Sequence, residues 1–185
     1  MKNNLLSEKL VYTGVSTTPT HLHLCTYSPT DMKELSADSF KNIKEALNSD
    51  NINWVQVHGL KNTESIRHVC SHFGIDFLVL QDILNANHPT KIEEHENYIV
   101  IITKLFFPDE TAKENEPDEL SQQQVCLILG NNYVLTFLEK ESGFFDNVNT
   151  ALRDNVLSIR SRQADYLFSV LLNNVMGNYI STVSS

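Results

Sequence analysis

Long apolar runs are missing from this sequence. Nowhere do about 18 consecutive apolar residues occur, the length a helix needs to cross a bilayer. The first residues, Met1-Lys2-Asn3-Asn4-Leu5-Leu6-Ser7-Glu8, lack the apolar centre of a secretory signal. Basic residues are scarce: 14 Lys and Arg stand against 23 Asp and Glu, a formal charge of −9 at pH 7. No basic run is longer than Arg160-Ser161-Arg162. This argues against nucleic acid or anionic lipid as a partner, because both are held by clustered cations. Cysteine is also sparse. Cys25, Cys70 and Cys126 are far apart and form no Cys-x-x-Cys, so a disulfide framework and a zinc finger are both excluded as readings. Small core thiols in a reducing, cytosolic setting are expected instead. Gly-x-Ser-x-Gly, the P-loop and Gly-x-Gly-x-x-Gly are all absent, and no serine has a credible paired base. A binding or regulatory module fits better than an enzyme.

What is present is enough for a core: 41% of the 185 residues are hydrophobic, and the length suits one domain with an extension. The organising stretch runs from Phe73 to Phe107. Leu80, Ile83 and Leu84 recur at helical spacing, with Phe77 one turn earlier. Asp76 can cap that helix, and Asp82 falls on the face away from the apolar stripe. Pro89 blocks continuation. The run from Tyr98 to Ile102 is apolar on both faces, which predicts a strand covered on both sides.

Elsewhere, Leu10 to Val15 and His21 to Tyr27 read as two strands of a hairpin. Ser36 to Leu47 reads as a helix capped by Ser36, and Ile52 to His58 as an alternating strand. A helix opens at Thr63, buries Ile66, Val69, Cys70 and Phe73, and stops at Gly74. Val125 to Leu129 and Tyr133 to Leu138 read as strands joined tightly at Gly130-Asn131-Asn132, Phe144 to Leu157 as a helix. From Arg160 a helical stripe runs to Ser185 with Gly177 as its one candidate stop, which predicts a longer helix. Strands interleaved with helices argue an α/β fold, a mixed parallel and antiparallel sheet between two helical layers.

Candidate ligand groups are few. His68 and His72 stand at i, i+4 on one helix, a spacing that can hold a metal, but the glutamate of the zinc-protease motif is replaced by Val69 and no third ligand is visible. His21 and His23 share one face of a strand. The acidic stretch Asp109, Glu110, Glu114, Glu116, Asp118 and Glu119 lacks calcium-loop spacing and glycine and reads as a solvated connection. Glu93, Glu94 and Glu96 read as strand-edge charge that discourages edge pairing.

From about Trp54 to Tyr179 several stretches occur in a specific order. They are Phe73-Gly74-Ile75 with Leu78, Asp82-Ile83-Leu84-Asn85, Lys91-x-Glu93 and Glu96-Asn97-Tyr98. Gln124-Val125-x-Leu127-Ile128-Leu129, Val134-Leu135-x-Phe137-x-Glu139, and Arg162 with Asp165-Tyr166-Leu167 follow. Together these resemble the cytoplasmic N-terminal domain of CorA-type magnesium transporters; the first 50 residues add nothing to the likeness. The resemblance implies an α/β/α domain over residues 1–158 and the start of a stalk helix over 159–185, truncated before the transmembrane region. It also implies a homopentamer at the cytoplasmic face of the inner membrane, reached only through the part beyond Ser185. In such transporters Mg2+ between subunits favours the closed state, and Co2+ is also carried. Asp82 matches one residue of an acidic pair that supplies ligands for the regulatory ion. Gln81 stands where a Glu is common, and Asn173 where some relatives have an Asp ligand. His88-Pro89-Thr90 departs from the usual Arg-Pro-Lys.

Magnesium takes oxygen ligands, keeps several waters and binds through one or two carboxylates. One Asp at each interface can therefore hold a hydrated ion loosely, as a sensor near millimolar levels requires. The ion also offsets repulsion between acidic subunits, and that difference biases one state over the other. Two alternatives stand beside this reading: a zinc transporter of the same superfamily, and a free-standing soluble metal-binding domain or enzyme whose best ligands are His68 and His72.

Overall fold

The computed structural model describes residues 9–108 and 120–183. Seven strands form one mixed sheet: β1 (His21–Tyr27), β2 (Met32–Ala37), β3 (Ile52–His58), β4 (Lys91–Glu94), β5 (Ile99–Pro108), β6 (Leu120–Leu129) and β7 (Tyr133–Leu138). Their order across the sheet is β2-β1-β3-β7-β6-β5-β4. Every neighbouring pair is antiparallel except the central one, β3 with β7. Three helices cover one face: α1 (Phe40–Lys44), α2 (Thr63–His72) and α3 (Phe77–Leu84). The other face is covered by α4 (Asp146–Arg153), a 3-10 turn at Val156–Ser161 and the long α5 (Ala164–Val183). The expected mixed sheet between two helical layers is what the chain forms. No helix among the described residues is long and apolar enough to cross a membrane.

Period-two alternation assigns side chains to the two cores. On β3, Val55 and Val57 enter the core under α1–α3, while Trp54 enters the core under α4 and α5. Trp54 is fully buried, packs edge-on against Phe145 at 6.0 Å, and donates its indole N–H to Thr136 Oγ1 at 3.1 Å. On β5, Val100 and Ile102 face the first core and Ile101 and Leu105 the second, so the doubly apolar run is a strand covered on both sides. The Gly130-Asn131-Asn132 turn closes β6 onto β7 through Gly130 N–H to Tyr133 O at 3.0 Å. Gly74 stops α2 as expected: its φ is +68°, and the following Ile75 N–H reaches back to Cys70 O at 2.8 Å.

Four expectations are corrected. Leu10–Val15 is no strand, and the N-terminal hairpin instead joins β1 to β2. The segment 9–20 is a strap bonded to the end of α3, to Glu139 and, through Thr20, to Asn62. Ser36 does not cap a helix but lies in β2, and α1 is short, with Ser39 in the N-cap position. The turn after α3 leads into a short edge strand, β4, that the sequence reading missed. The helix expected over Phe144–Leu157 ends at Arg153, where Asn155, Leu157 and Ser158 take left-handed φ of 50–57°. That break turns the chain so that α5 can lie back on the sheet. α5 itself passes through Gly177 to Val183. The acidic stretch 109–119 lies outside the described residues.

Candidate functional site

α3 begins where Asp76 accepts the Leu78 N–H at 2.8 Å, and Tyr98 Oη receives the Asp76 N–H at 3.0 Å. Val79, Leu80, Ile83 and Leu84 are buried, which leaves Gln81 and Asp82 on the partly open side. Gln124 closes the C-terminal end by donating its amide to Asp82 O and Ile83 O, each at 3.3 Å. The strap adds Thr13 N–H to Leu84 O at 3.0 Å and takes the Ala86 N–H on Thr13 Oγ1 at 3.0 Å. Tyr12 and Ser16 in turn bond the side chain and carbonyl of buried Glu139, whose second oxygen takes the Gln124 N–H at 2.6 Å. Asp82 is thus carried on a backbone fixed from three sides.

The Asp82 carboxylate is 26% exposed and sits in a row of charges. Lys91, at the start of β4, donates its ammonium to Asp82 Oδ2 and lies 2.7 Å from Glu93 Oε2. His88 Nε2 is 3.3 Å from Asp82 Oδ1, and the His95 imidazole lies against Glu93. Partial burial works against the Lys91 charge, but the Asp82 and Glu93 carboxylates outweigh it and hold its pKa above the ordinary value. Lys91 in turn holds Glu93 below the usual carboxylate range. Glu93 is therefore more than edge charge; Glu94 and Glu96 remain exposed. The Lys91 ammonium thus neutralises Asp82 within the chain.

The other predicted groups are dispersed. Gln81 adjoins Asp82. Asn173 is exposed on α5, which packs on the opposite face of the sheet from α3. Within one chain the sheet separates Asn173 from Asp82. His68 and His72 are exposed and share a hollow with Phe40, Lys41, Lys44 and Ser71. The His72 ring leans on Phe40 at 5.3 Å and on Phe73 at 4.9 Å, and burial, then Lys44, pushes its pKa down. Two lysines and no lining carboxylate make that hollow unsuited to a cation. His23 has company: its ligand atoms, with those of Cys25 and Glu34, lie within 4.8 Å of one another. What sequence reasoning missed is Lys91 as the counter-charge of Asp82. The signal was a lysine shortly beyond Pro89, in line to return beside the helix.

An Mg2+ ion asks for oxygen donors. Asp82 carries a carboxylate and the adjacent Gln81 an amide oxygen, the donor type such an ion takes. The chain matches the family described as CorA-like Mg2+ transporter protein over residues 49–185. It is 34% identical over 178 residues to the cobalt/magnesium transport protein CorA of Thermotoga maritima, across 96% of this chain and 49% of that protein. The chain thus spans about half the length of this relative. Its fold is similar to the complete CorA magnesium transporter from Methanocaldococcus jannaschii, with a TM-score of 0.63 at 17% identity over 91% of this chain and 47% of the other. It is also similar to the ZntB cytoplasmic domain from Vibrio parahaemolyticus, with a TM-score of 0.58 at 10% identity over 88% and 62%.

Proposed function

The chain belongs to the CorA-like Mg2+ transporter protein family, and from that premise we propose that it is the cytoplasmic, cation-sensing domain of a divalent-cation transporter. Residues 1–158 form the sensing body and 159–185 begin the stalk that leads to the membrane-embedded part. Mg2+ is the regulatory ion and, with Co2+, the transported one. The working assembly is a homopentamer at the cytoplasmic face of the inner membrane. The fold is shared with the ZntB domain as well, so sheet and helices do not choose between magnesium and zinc as cargo; flux with competing ions makes that choice.

The observation that carries the reading is the state of Asp82. Its backbone is fixed by Gln124 and the strap, and its carboxylate is partly open, with the Lys91 ammonium on one oxygen and His88 beside the other. A divalent ion that replaces Lys91 gains a carboxylate already held in place. Gln81 offers a neutral oxygen where a second carboxylate would bind more tightly, so the site suits an ion that must also leave. Across a subunit boundary Asn173 can supply a further oxygen.

The test is a magnesium titration of the full-length protein, read as protection from limited proteolysis. Mg2+ is expected to protect the wild type, and Asp82→Asn should require at least tenfold more ion. Unchanged protection in a folded Asp82→Asn variant would refute the sensing role.

A further inference from the structure

Three histidines line one pocket on the far side of the sheet from Asp82, with their ring nitrogens farther apart than the 4.8 Å that separates the ligand atoms of His23, Cys25 and Glu34, so a shared ion requires the rings to turn inward. The antiparallel β1–β3 register sets His21 directly opposite His58, which brings their Cβ atoms to about 5 Å. His23 lies two residues along on the same face, about 7 Å away. All three line one pocket of about 240 Å³, with Glu141 and Asp146 on its other wall. Gly143 shapes that wall: its φ of +66° is a left-handed conformation that favours glycine, and Asp146 Oδ2 would lie 2.7 Å from a Cβ there.

We propose that this pocket binds one borderline divalent cation, of the Zn2+, Co2+ or Ni2+ class, through the imidazoles of His21, His23 and His58, with Glu141 or Asp146 as the carboxylate. The donor set decides the class. Neutral imidazole suits Zn, Co and Ni, whereas Mg2+ demands oxygen. Three histidines with one further position is a familiar zinc arrangement. His-x-His on one strand with a third histidine opposite presents three rings to one side.

The surroundings agree. A histidine that binds metal usually gives its other nitrogen to a carboxylate. His21 Nδ1 is 3.6 Å from Asp38, and His23 Nε2 is 3.0 Å from Glu34. The other His23 nitrogen faces the Ser36 hydroxyl at 2.7 Å, a neutral partner that an ion displaces. His58 Nδ1 is buried with no hydrogen-bond partner among the described residues. Burial holds His58 below its ordinary pKa, although Glu141 opposes this. Arg153 also lines the pocket, but its guanidinium is held on both oxygens of Glu34, at 2.7 and 2.8 Å. That pairing also disfavours the competing set His23, Cys25 and Glu34. Its carboxylate is already neutralised, and burial pushes the Cys25 thiol far above its usual pKa.

The test uses the full-length protein, stripped with chelator and titrated with Co2+, whose visible absorption reports tetrahedral nitrogen ligation. One equivalent per chain is expected, displaced by Zn2+ and untouched by millimolar Mg2+. His58→Gln and His21→Gln should each weaken binding at least about tenfold. Cys25→Ser and Asp82→Asn should leave it unchanged. His21 is partly exposed, so its variant tests the site even if His58→Gln fails to fold. Absence of saturable Co2+ binding, binding that survives His21→Gln, or binding lost in Cys25→Ser would overturn the proposal. Loss of magnesium protection in Asp82→Asn with the cobalt signal intact separates this site from the sensing site.

Discussion

Replacing Lys91 with methionine should strengthen magnesium binding rather than weaken it. The ammonium of Lys91 rests on Asp82 and lies 2.7 Å from Glu93. Methionine keeps the apolar stem and removes the charge. The pair is partly exposed, so its loss costs roughly 0.2–1 kcal/mol of stability, too little to unfold the domain. An ion bound at Asp82 would lie about 5 Å from the ammonium. Repulsion between a unit and a double charge at that distance, with water-like screening, is about 1.5 kcal/mol, roughly tenfold in affinity. Calorimetric titration of the full-length protein at low ionic strength reads this directly, and circular dichroism confirms the fold. Lys91→Met should bind Mg2+ about tenfold more tightly than wild type, and the advantage should shrink as salt rises. Asp82→Asn should bind weakly, and the double variant should stay weak because the carboxylate that holds the ion is gone. If folded Lys91→Met binds Mg2+ no more tightly than wild type, Asp82 is not the ligand.

Two further outcomes follow from geometry. Gly59 and Gly74 both have positive φ, at +81° and +68°, but a Cβ at Gly59 would meet Thr18 O at 2.6 Å and Pro19 O at 2.7 Å, whereas Gly74 has open space. Gly74→Ala should cost about 1 kcal/mol from backbone strain alone, and Gly59→Ala clearly more, up to loss of the strap; equal costs in urea denaturation would show that the close approach is unimportant. All three cysteines are buried, with the Cys70 thiol pushed up to about 12 and Cys126 well above its ordinary value by burial. A thiol reagent at pH 8 should therefore label none in the folded protein and three in denaturant; rapid labelling of a folded sample would contradict the packing.

The parts of the fold that were legible are those whose signals are local. Asp76, Gly74 and the Gly130-Asn131-Asn132 turn act within a few residues of themselves, and β3 and β5 show their burial in their own alternation. The strap misled because Leu10 and Tyr12 alternate as a strand does, while its partners are the end of α3 and Glu139, more than 120 residues away for Tyr12. β2 hid because Met32–Ala37 is an edge strand with no buried residue. The helix expected over Phe144–Leu157 gave way after Arg153 to left-handed backbone at Asn155, Leu157 and Ser158, residues that carry no glycine signature. At the site, Asp82 was visible as an open carboxylate on an amphipathic helix. Its pairing with Lys91 was not, because β4 had to be placed before the two could be seen to meet. The same holds for His58, which becomes a neighbour of His21 only through strand register.

One contact on α5 has a mechanical consequence. The Asn178 amide accepts the Phe106 N–H at 3.0 Å and donates to Phe106 O at 2.9 Å, copying the pair of bonds that a neighbouring strand would make. A helix advances about 1.5 Å per residue, so sliding α5 by even one residue past β5 would break both bonds at once. The helix is clipped to the sheet like a lever to its mount. Displacement along its axis must carry β5 with it, and through the ten-residue β5–β6 ladder the pull reaches Gln124, the residue that holds the carbonyls of Asp82 and Ile83.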